Sequence, residues 1–180
     1  VNPVNDVPVL DTVADQEVDE DNTFTYSLSA DDVDGDVLTY TASVDGNGSV
    51  SIDGSELTIV PDANFNGDIL VDINVSDGQV LDNTSFTLTV NPVNDAPVLD
   101  TVSDQEVDED NTFTYSLSAD DVDGDVLTYT ASVDGNGSVS IDGSELTIVP
   151  DANFNGDILI EISVSDGQAL DNTSFTLTVN

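Results

Sequence analysis

The chain has 180 residues, of which 38 are aspartate or glutamate and none is lysine, arginine or histidine, for a formal charge of −38 at pH 7. Salt bridges between its own side chains are excluded, as is direct nucleic-acid binding, which draws on Lys and Arg for phosphate contacts, and anionic lipid heads are repelled. With His, Lys and Cys all absent, the usual general bases and nucleophiles are missing and the chain is not expected to be an enzyme.

Apolar residues make up 38% of the chain and recur with a period of two, the mark of half-buried strands. Gln16 and Val18 open a first strand. Phe24, Tyr26 and Leu28 alternate with Thr25, Ser27 and Ser29 in a second, and Leu38, Tyr40 and Ala42 with Thr39 and Thr41 in a third. Val50 and Ile52 form a short fourth strand, joined through Asp53-Gly54, a hairpin pair that tolerates positive φ, to a fifth holding Leu57 and Ile59. Ile69, Val71, Ile73 and Val75 make a sixth; Phe86, Leu88 and Val90 make a seventh. No helical period appears, and seven short strands in about 90 residues predict an all-β, Greek-key immunoglobulin-like sandwich.

The second half repeats the first. Residues 1–89 align without a gap to residues 90–178, with six differences: Val7/Ala96, Ala14/Ser103, Val71/Ile160, Asp72/Glu161, Asn74/Ser163 and Val80/Ala169. The expected organisation is one repeat over 1–89, a second over 90–178, and the start of a third at 179–180, within a longer array. The fold class is thus two tandem seven-stranded sandwiches. Cysteine is absent, so no disulfide staples either one and a bound metal is the alternative staple. No apolar run approaches the roughly 20 residues that span a bilayer, and no leader precedes the first repeat; a soluble, monomeric internal fragment is expected.

The carboxylates decide the rest. Two of them about 4 Å apart repel by roughly 4 kcal/mol at an effective dielectric of 20, so a fold that gathers several requires an outside cation. Hard oxygen donors of this kind suit Ca²⁺ rather than zinc or copper. In a seven-stranded Greek key the loops fall alternately at two ends. Counting strands puts Asp19-Glu20-Asp21-Asn22, the loop at 61–68 and the connector at 91–97 at one end of the first repeat, and residues 120–125 with Ser165-Asp166-Gly167 at the facing end of the second. The loop starting at Asp32 is not an EF-hand, because Gly35 comes two places early and Ser43 stands where a bidentate Glu is needed. Asp15, Glu17, Asp45, Asp53 and Asp82 read as solvated faces or turns, and Asp36 and Asp125 are undecided.

Ala119-Asp120-Asp121-Val122-Asp123-Gly124-Asp125-Val126-Leu127-Thr128-Tyr129 resembles the cadherin segment in which an Asp-x-Asp pair binds Ca²⁺ ahead of a Leu-Thr-Tyr strand. Val18-Asp19-Glu20-Asp21 is similar to the stretch carrying the first glutamate ligand, Val164-Ser165-Asp166-Gly167 to the late aspartate motif, and Val93-Asn94-Asp95-Ala96-Pro97 to the interdomain linker. The whole 89-residue unit resembles the bacterial cadherin-like tandem repeats of large calcium-dependent, repeats-in-toxin type surface adhesins. It departs from the animal pattern in lacking one linker asparagine and in carrying Pro61-Asp62-Ala63-Asn64-Phe65-Asn66-Gly67 where a Leu-Asp-Arg-Glu motif stands.

The resemblance implies several Ca²⁺ ions, mainly at the junction between repeats, on Glu20, Asp21, Asp62, Asn91, Asn94, Asp95, Asp121, Asp123 and Asp166. An N-terminal half-site would use Asn5, Asp6, Asp32, Asp34 and Asp77, and a C-terminal half-site Glu109, Asp110 and Asp151; Asp62 and Asn64 are the weaker candidates. The function it implies is that of calcium-rigidified extender repeats in a long adhesin, exported by a type I route and attached to the cell surface. Such repeats project a distal ligand-binding region in adhesion or biofilm formation, with neighbouring repeats of the same chain as partners and polysaccharide or other surface ligands engaged by other regions. The alternative is that the repeats themselves bind polysaccharide or like repeats.

Overall fold

The computed structural model describes residues 4–180; residues 1–3 of the first predicted repeat lie outside the described residues. The chain divides into two compact units between Val93 and Asn94, so the connector is shared out, its first residues folding with one unit and Asn94 and Asp95 with the other.

The first unit contains β1 (Val9–Leu10), β2 (Gln16–Asp19), β3 (Phe24–Ser27), β4 (Ala30–Asp31), β5 (Thr39–Val44), β6 (Gly48–Asp53), β7 (Glu56–Pro61), β8 (Gly67–Ser76) and β9 (Leu81–Asn91). One sheet has the order β2-β9-β8-β5, the facing one β3-β7-β6, and β1 pairs with β4 alone. The seven predicted strands are all here. What the periodicity did not show is that the entering strand is split between two partners. β1 runs antiparallel to β4 and β2 runs parallel to β9, with Leu10 and Val13 buried at the crossing.

The second unit repeats this with β10 (Val98–Leu99), β11 (Gln105–Val107), β12 (Phe113–Ser116), β13 (Ala119–Asp120), β14 (Thr128–Val133), β15 (Gly137–Asp142), β16 (Glu145–Pro150), β17 (Gly156–Ser165) and β18 (Leu170–Val179). Its sheets are β11-β18-β17-β14 and β12-β16-β15, with β10 on β13.

Alternation builds each core. Ile69, Val71, Ile73 and Val75 on β8 are fully buried against Leu57, Ile59 and Leu88, while Asp68, Leu70 and Asp72 between them face out. Burying each such side chain contributes roughly 1.5–3 kcal/mol. Val71 and its counterpart Ile160 are both fully buried, so the added methylene is taken up inside. Phe24 meets Phe86 at 6.2 Å between ring centroids. Phe65 packs on the core edge over Gly67, where a Cβ would lie 3.2 Å from its ring. Gly48 is needed for a different reason: a Cβ there would sit 2.8 Å from the Val60 carbonyl oxygen.

Candidate metal centres

In the first unit β4 leads straight into Asp32-Val33-Asp34-Gly35-Asp36. The turn forms because Asp32 accepts twice: its carbonyl from Gly35 N–H at 3.3 Å and its Oδ1 from Asp36 N–H at 3.1 Å, with Gly35 at φ 74°. Ligand oxygens of Asp32, Asp34 and Asp36 then lie within 4.8 Å of one another. Asp6 N–H donates to Asp34 Oδ2 at 2.7 Å and Asn5 Nδ2 donates to Asp77 Oδ2 at 2.7 Å, which brings the entering chain and the β8–β9 turn to the same end. Asp77 Oδ1 accepts from Gln79 N–H and Val80 N–H at 2.7 and 2.8 Å. The Asn5 amide, followed by the Val80 and Gln79 N–H groups, holds the Asp77 carboxyl below the usual carboxylate range. Thus Asn5, Asp6, Asp32, Asp34 and Asp77, the expected N-terminal half-site, share one end of the unit. Asp36, which the sequence left undecided, is among them.

The second unit builds the same arrangement from Asn94, Asp95, Asp121, Asp123 and Asp166. Asp95 N–H donates to Asp123 Oδ2 at 2.8 Å, Asn94 Nδ2 to Asp166 Oδ2 at 2.8 Å, and Asp125 N–H to Asp121 Oδ1 at 3.0 Å. Here the Ala169 N–H is the largest cause of a lowered Asp166 carboxyl, ahead of Asn94 and the Gln168 N–H. Gln168 Nε2 donates to Asn94 Oδ1 at 2.7 Å, as Gln79 does to Asn5 at 2.6 Å. These glutamines are not legible in the sequence, because an uncharged residue directly after Asp-Gly carries no ligand signature.

One oxygen in each cluster has no donor. Asp32 Oδ2 and Asp121 Oδ2 are buried with no hydrogen-bond partner. An ionised carboxylate oxygen shut away from both water and donors is costly, and the chain has no cationic side chain to offer it. Because the oxygen recurs in both units, it belongs to the motif. The donor set around it is all hard oxygen, which fits Ca²⁺ with its 6–8 oxygen ligands.

The opposite end of the first unit is organised by Glu20, 3% exposed and the one buried charged residue among those described. Its N–H donates to the Asn91 carbonyl at 2.9 Å, and its Oε1 accepts from Val93 N–H at 2.5 Å. Asp21, at φ 59°, accepts on Oδ1 from Asn64 N–H at 3.0 Å. Asp62 serves this end with its main chain, donating to the Asn47 carbonyl and accepting from Phe65 N–H. In the second unit Asp110 accepts from Asn153 N–H at 3.0 Å, Asp151 holds the equivalent loop with its main chain, and Glu109 is exposed. The set expected at the junction therefore separates into Glu20, Asp21, Asp62 and Asn91 on the first unit and Asn94, Asp95, Asp121, Asp123 and Asp166 on the second.

Three aspartates read as merely solvated have structural partners instead. Asp15 Oδ1 accepts from Thr87 N–H at 2.8 Å, Asp45 Oδ1 from Leu70 N–H at 3.1 Å, and Asp82 Oδ2 from Leu10 N–H at 2.9 Å. Asp104, Asp134 and Asp171 do the same in the second unit. The sequence carries no local signal for them, since each partner lies far along the chain.

Both halves match the bacterial Ig domain family, over residues 5–91 and 94–180. Chitinase A of Pseudoalteromonas piscicida is 28% identical over 160 residues, which is 83% of this chain but 19% of that protein, so the chain spans about a fifth of this curated relative. Among solved structures, Drosophila N-cadherin EC1-4 aligns at TM-score 0.60 and 13% identity over 98% of this chain and 50% of its own. Human protocadherin-24 EC1-2 aligns at TM-score 0.57 and 18% identity over 96% and 97%. At such identities the cadherin likeness is one of fold, and it agrees with the tandem sandwiches described above. The chain belongs to the bacterial Ig domain family, as two consecutive copies.

Proposed function

We propose that these units are calcium-rigidified extender repeats of a long bacterial surface adhesin, exported by a type I route. The observation that carries the reading is the buried, donorless Asp32 Oδ2 and Asp121 Oδ2, each beside two further carboxylates in a chain without a cation. Asp121, Asp123 and Asp166 with Asn94 and Asp95 would hold Ca²⁺ from one side. Glu20, Asp21 and Asn91, with a lesser share for Asp62, would complete the coordination from the other, since Val93 and Asn94 are consecutive and are gripped by Glu20 and Asp166 in turn. The bound ion would cancel repulsion between acidic ends and turn the connector into a fixed joint. With 11 residues in β9 at about 3.3 Å each, every unit adds about 36 Å of reach. Bacterial Ig domains are typical of extracellular and surface proteins, which suits this role. Calorimetric titration of the chain with CaCl₂ tests it: saturable uptake is expected, reduced by D121A/D123A and retained in D45A/D134A, and absence of specific uptake sinks the reading.

A second reading, that the repeats themselves bind polysaccharide, is favoured by the likeness to part of a chitinase. Retention of the chain on insoluble chitin, lost on competition with soluble oligosaccharide, would move the assignment there.

A further inference from the structure

We infer that the outward face of the larger sheet in each unit is a binding groove for a polysaccharide of amino sugars whose amines are free and protonated. In the second unit β14, β17 and β18 carry it. Outward residues alternate there with the buried Ile160, Ile162 and Val164. The strand register sets them in two rungs, Thr130, Ser163 and Asn172 in one and Ser132, Glu161 and Ser174 in the next. All six line a groove of about 440 Å³. In the first unit the matching rungs are Thr41, Asn74 and Asn83, then Ser43, Asp72 and Ser85, and a groove of about 610 Å³ lies on the same face. Neither groove includes a residue of the acidic ends.

The middle of the face is hydroxyl and amide around a single carboxylate. At its two ends stand exposed leucines, Leu159 and Leu170 in the second unit and Leu70 and Leu81 in the first. Leu159 and Ser165, the partner of Leu170, are six positions apart on β17, about 20 Å at about 3.4 Å per residue, the length of a short oligosaccharide. Sugar rings divide in the same way, into hydroxyl edges and apolar C–H faces. Asp72 and Glu161 decide the ligand's charge. Each sits midway along an interior strand, where β-branched residues pair best and Asp is disfavoured. Each also lacks the main-chain donor that Asp45 and Asp82 take. Two of the six differences between the repeats fall here and keep the chemistry: Asp72/Glu161 retains the carboxylate, and Asn74/Ser163 a hydrogen-bonding group. Ser163 Oγ donates to Asn172 Oδ1, which leaves the Asn172 amide hydrogens for a ligand acceptor. With no Lys, Arg or His in the chain, the charge that answers this carboxylate comes from the ligand. A net charge of −38 repels acidic polysaccharides and attracts a protonated amine. A cationic peptide would satisfy the charge, but peptides are taken along a free sheet edge or in apolar pockets, and this groove lies across a polar face.

The inference rests on the second reading above, that the repeats bind polysaccharide, and supplies its site and its sugar class. A glucosamine hexasaccharide is titrated calorimetrically into the 180-residue chain in one calcium-containing buffer at about pH 6, where the carboxylates are ionised. D72N/E161Q should raise Kd roughly tenfold or more, a bond to an ionised partner being lost in each groove. T41V/T130V, which removes one hydroxyl per groove, should raise it roughly threefold. Both pairs should melt near wild type. D53N/D142N removes two charges from exposed hairpin ends in the opposite sheet and should change Kd by less than about twofold, since salt screens charge beyond about 8 Å. The N-acetylated hexasaccharide, with the amine charge masked, should bind roughly tenfold more weakly than the free amine form. Equal weakening by the two charge-removing pairs, or equal affinity for the two sugars, overturns the proposal. So does a lysine hexapeptide bound as tightly as the sugar with the same dependence on Asp72 and Glu161. If wild type binds neither sugar, the polysaccharide reading falls with the groove; if binding survives D72N/E161Q, that reading stands and the groove alone is discarded.

Discussion

Aspartate does two different jobs in this molecule, on the flanks of each sandwich and at its ends. On the flanks, Asp15, Asp45 and Asp82 each take one backbone N–H from a neighbouring strand. At the end, Asp32, Asp34 and Asp36 crowd within 4.8 Å, and one Asp32 oxygen is buried with no donor at all. The residue type is the same; the local count of donors against acceptors differs. Where donors match acceptors, aspartate is a staple between strands. Where acceptors exceed donors in a chain without cations, as at Asp32, the cluster is left short of positive charge.

The largest effect that separates the two regions should be calcium itself. Raising free Ca²⁺ to about 100 times its Kd adds about 2.7 kcal/mol per site if the unfolded chain does not bind. For a domain of this size that is about 10–20 °C in melting temperature. D121A/D123A should abolish the rise for the second unit and leave the first unit's rise in place, whereas D45A/D134A should lower the starting temperature and keep the full increment. Equal loss of the increment in both pairs would mean that charge screening, and not a built site, is responsible.

A sharper contrast lies between Glu20 and Glu109, identical in sequence context and different in setting. Glu20 is buried and bonded to Val93 N–H, while Glu109 is exposed. E20A should cost about 1–3 kcal/mol, the range for removing a partner from a buried group, and E109A much less. Differential melting of the two variants against wild type measures this. Equal costs would remove the special role of the connector in seating Glu20.

The flank staples come next. Truncating Asp82 to Ala frees Leu10 N–H and should cost about 0.5–1.5 kcal/mol, with hydrogen exchange accelerated in β1 and unchanged in β8. Uniform acceleration across the unit would show that Asp82 acts through general stability and not by holding β1.

How far these regions could be read from sequence follows from range. The period-two runs, such as Ile69 to Val75, and the Asp-x-Asp-Gly-Asp turn are local, so strands and acidic loop were both legible. The staples were not, because Asp15 meets Thr87 across 72 positions and nothing local distinguishes it among 38 acids. The split of the entering strand was hidden for a related reason: Val9 and Leu10 are too few to show alternation, and their pairing depends on Ala30 and Asp31. Burial of Asp32 Oδ2 was equally out of reach, since it arises from packing after the loop has closed.

The smallest effect isolates charge from shape at one staple. Leu99 N–H, and after it Asn172 N–H, hold the Asp171 carboxyl below the usual carboxylate range, which is about 3.9 for a free aspartate. A group whose folded value is depressed contributes stability above its unfolded value and loses it as pH falls through the folded one. Below about pH 4, therefore, the unfolded chain takes up a proton at this position before the folded chain does, and the staple weakens. Protonation of other carboxylates relieves repulsion at the same time and pulls the other way, so absolute melting temperatures are ambiguous. The difference between wild type and D171N is not: Asn keeps an acceptor oxygen but cannot ionise, so the wild-type advantage should be present at pH 6 and shrink as pH drops from 4 toward 2. A gap that stays constant over that range would mean that Leu99 is held by the geometry of the acceptor alone, and the distinction between flank and end would then rest on the metal side only.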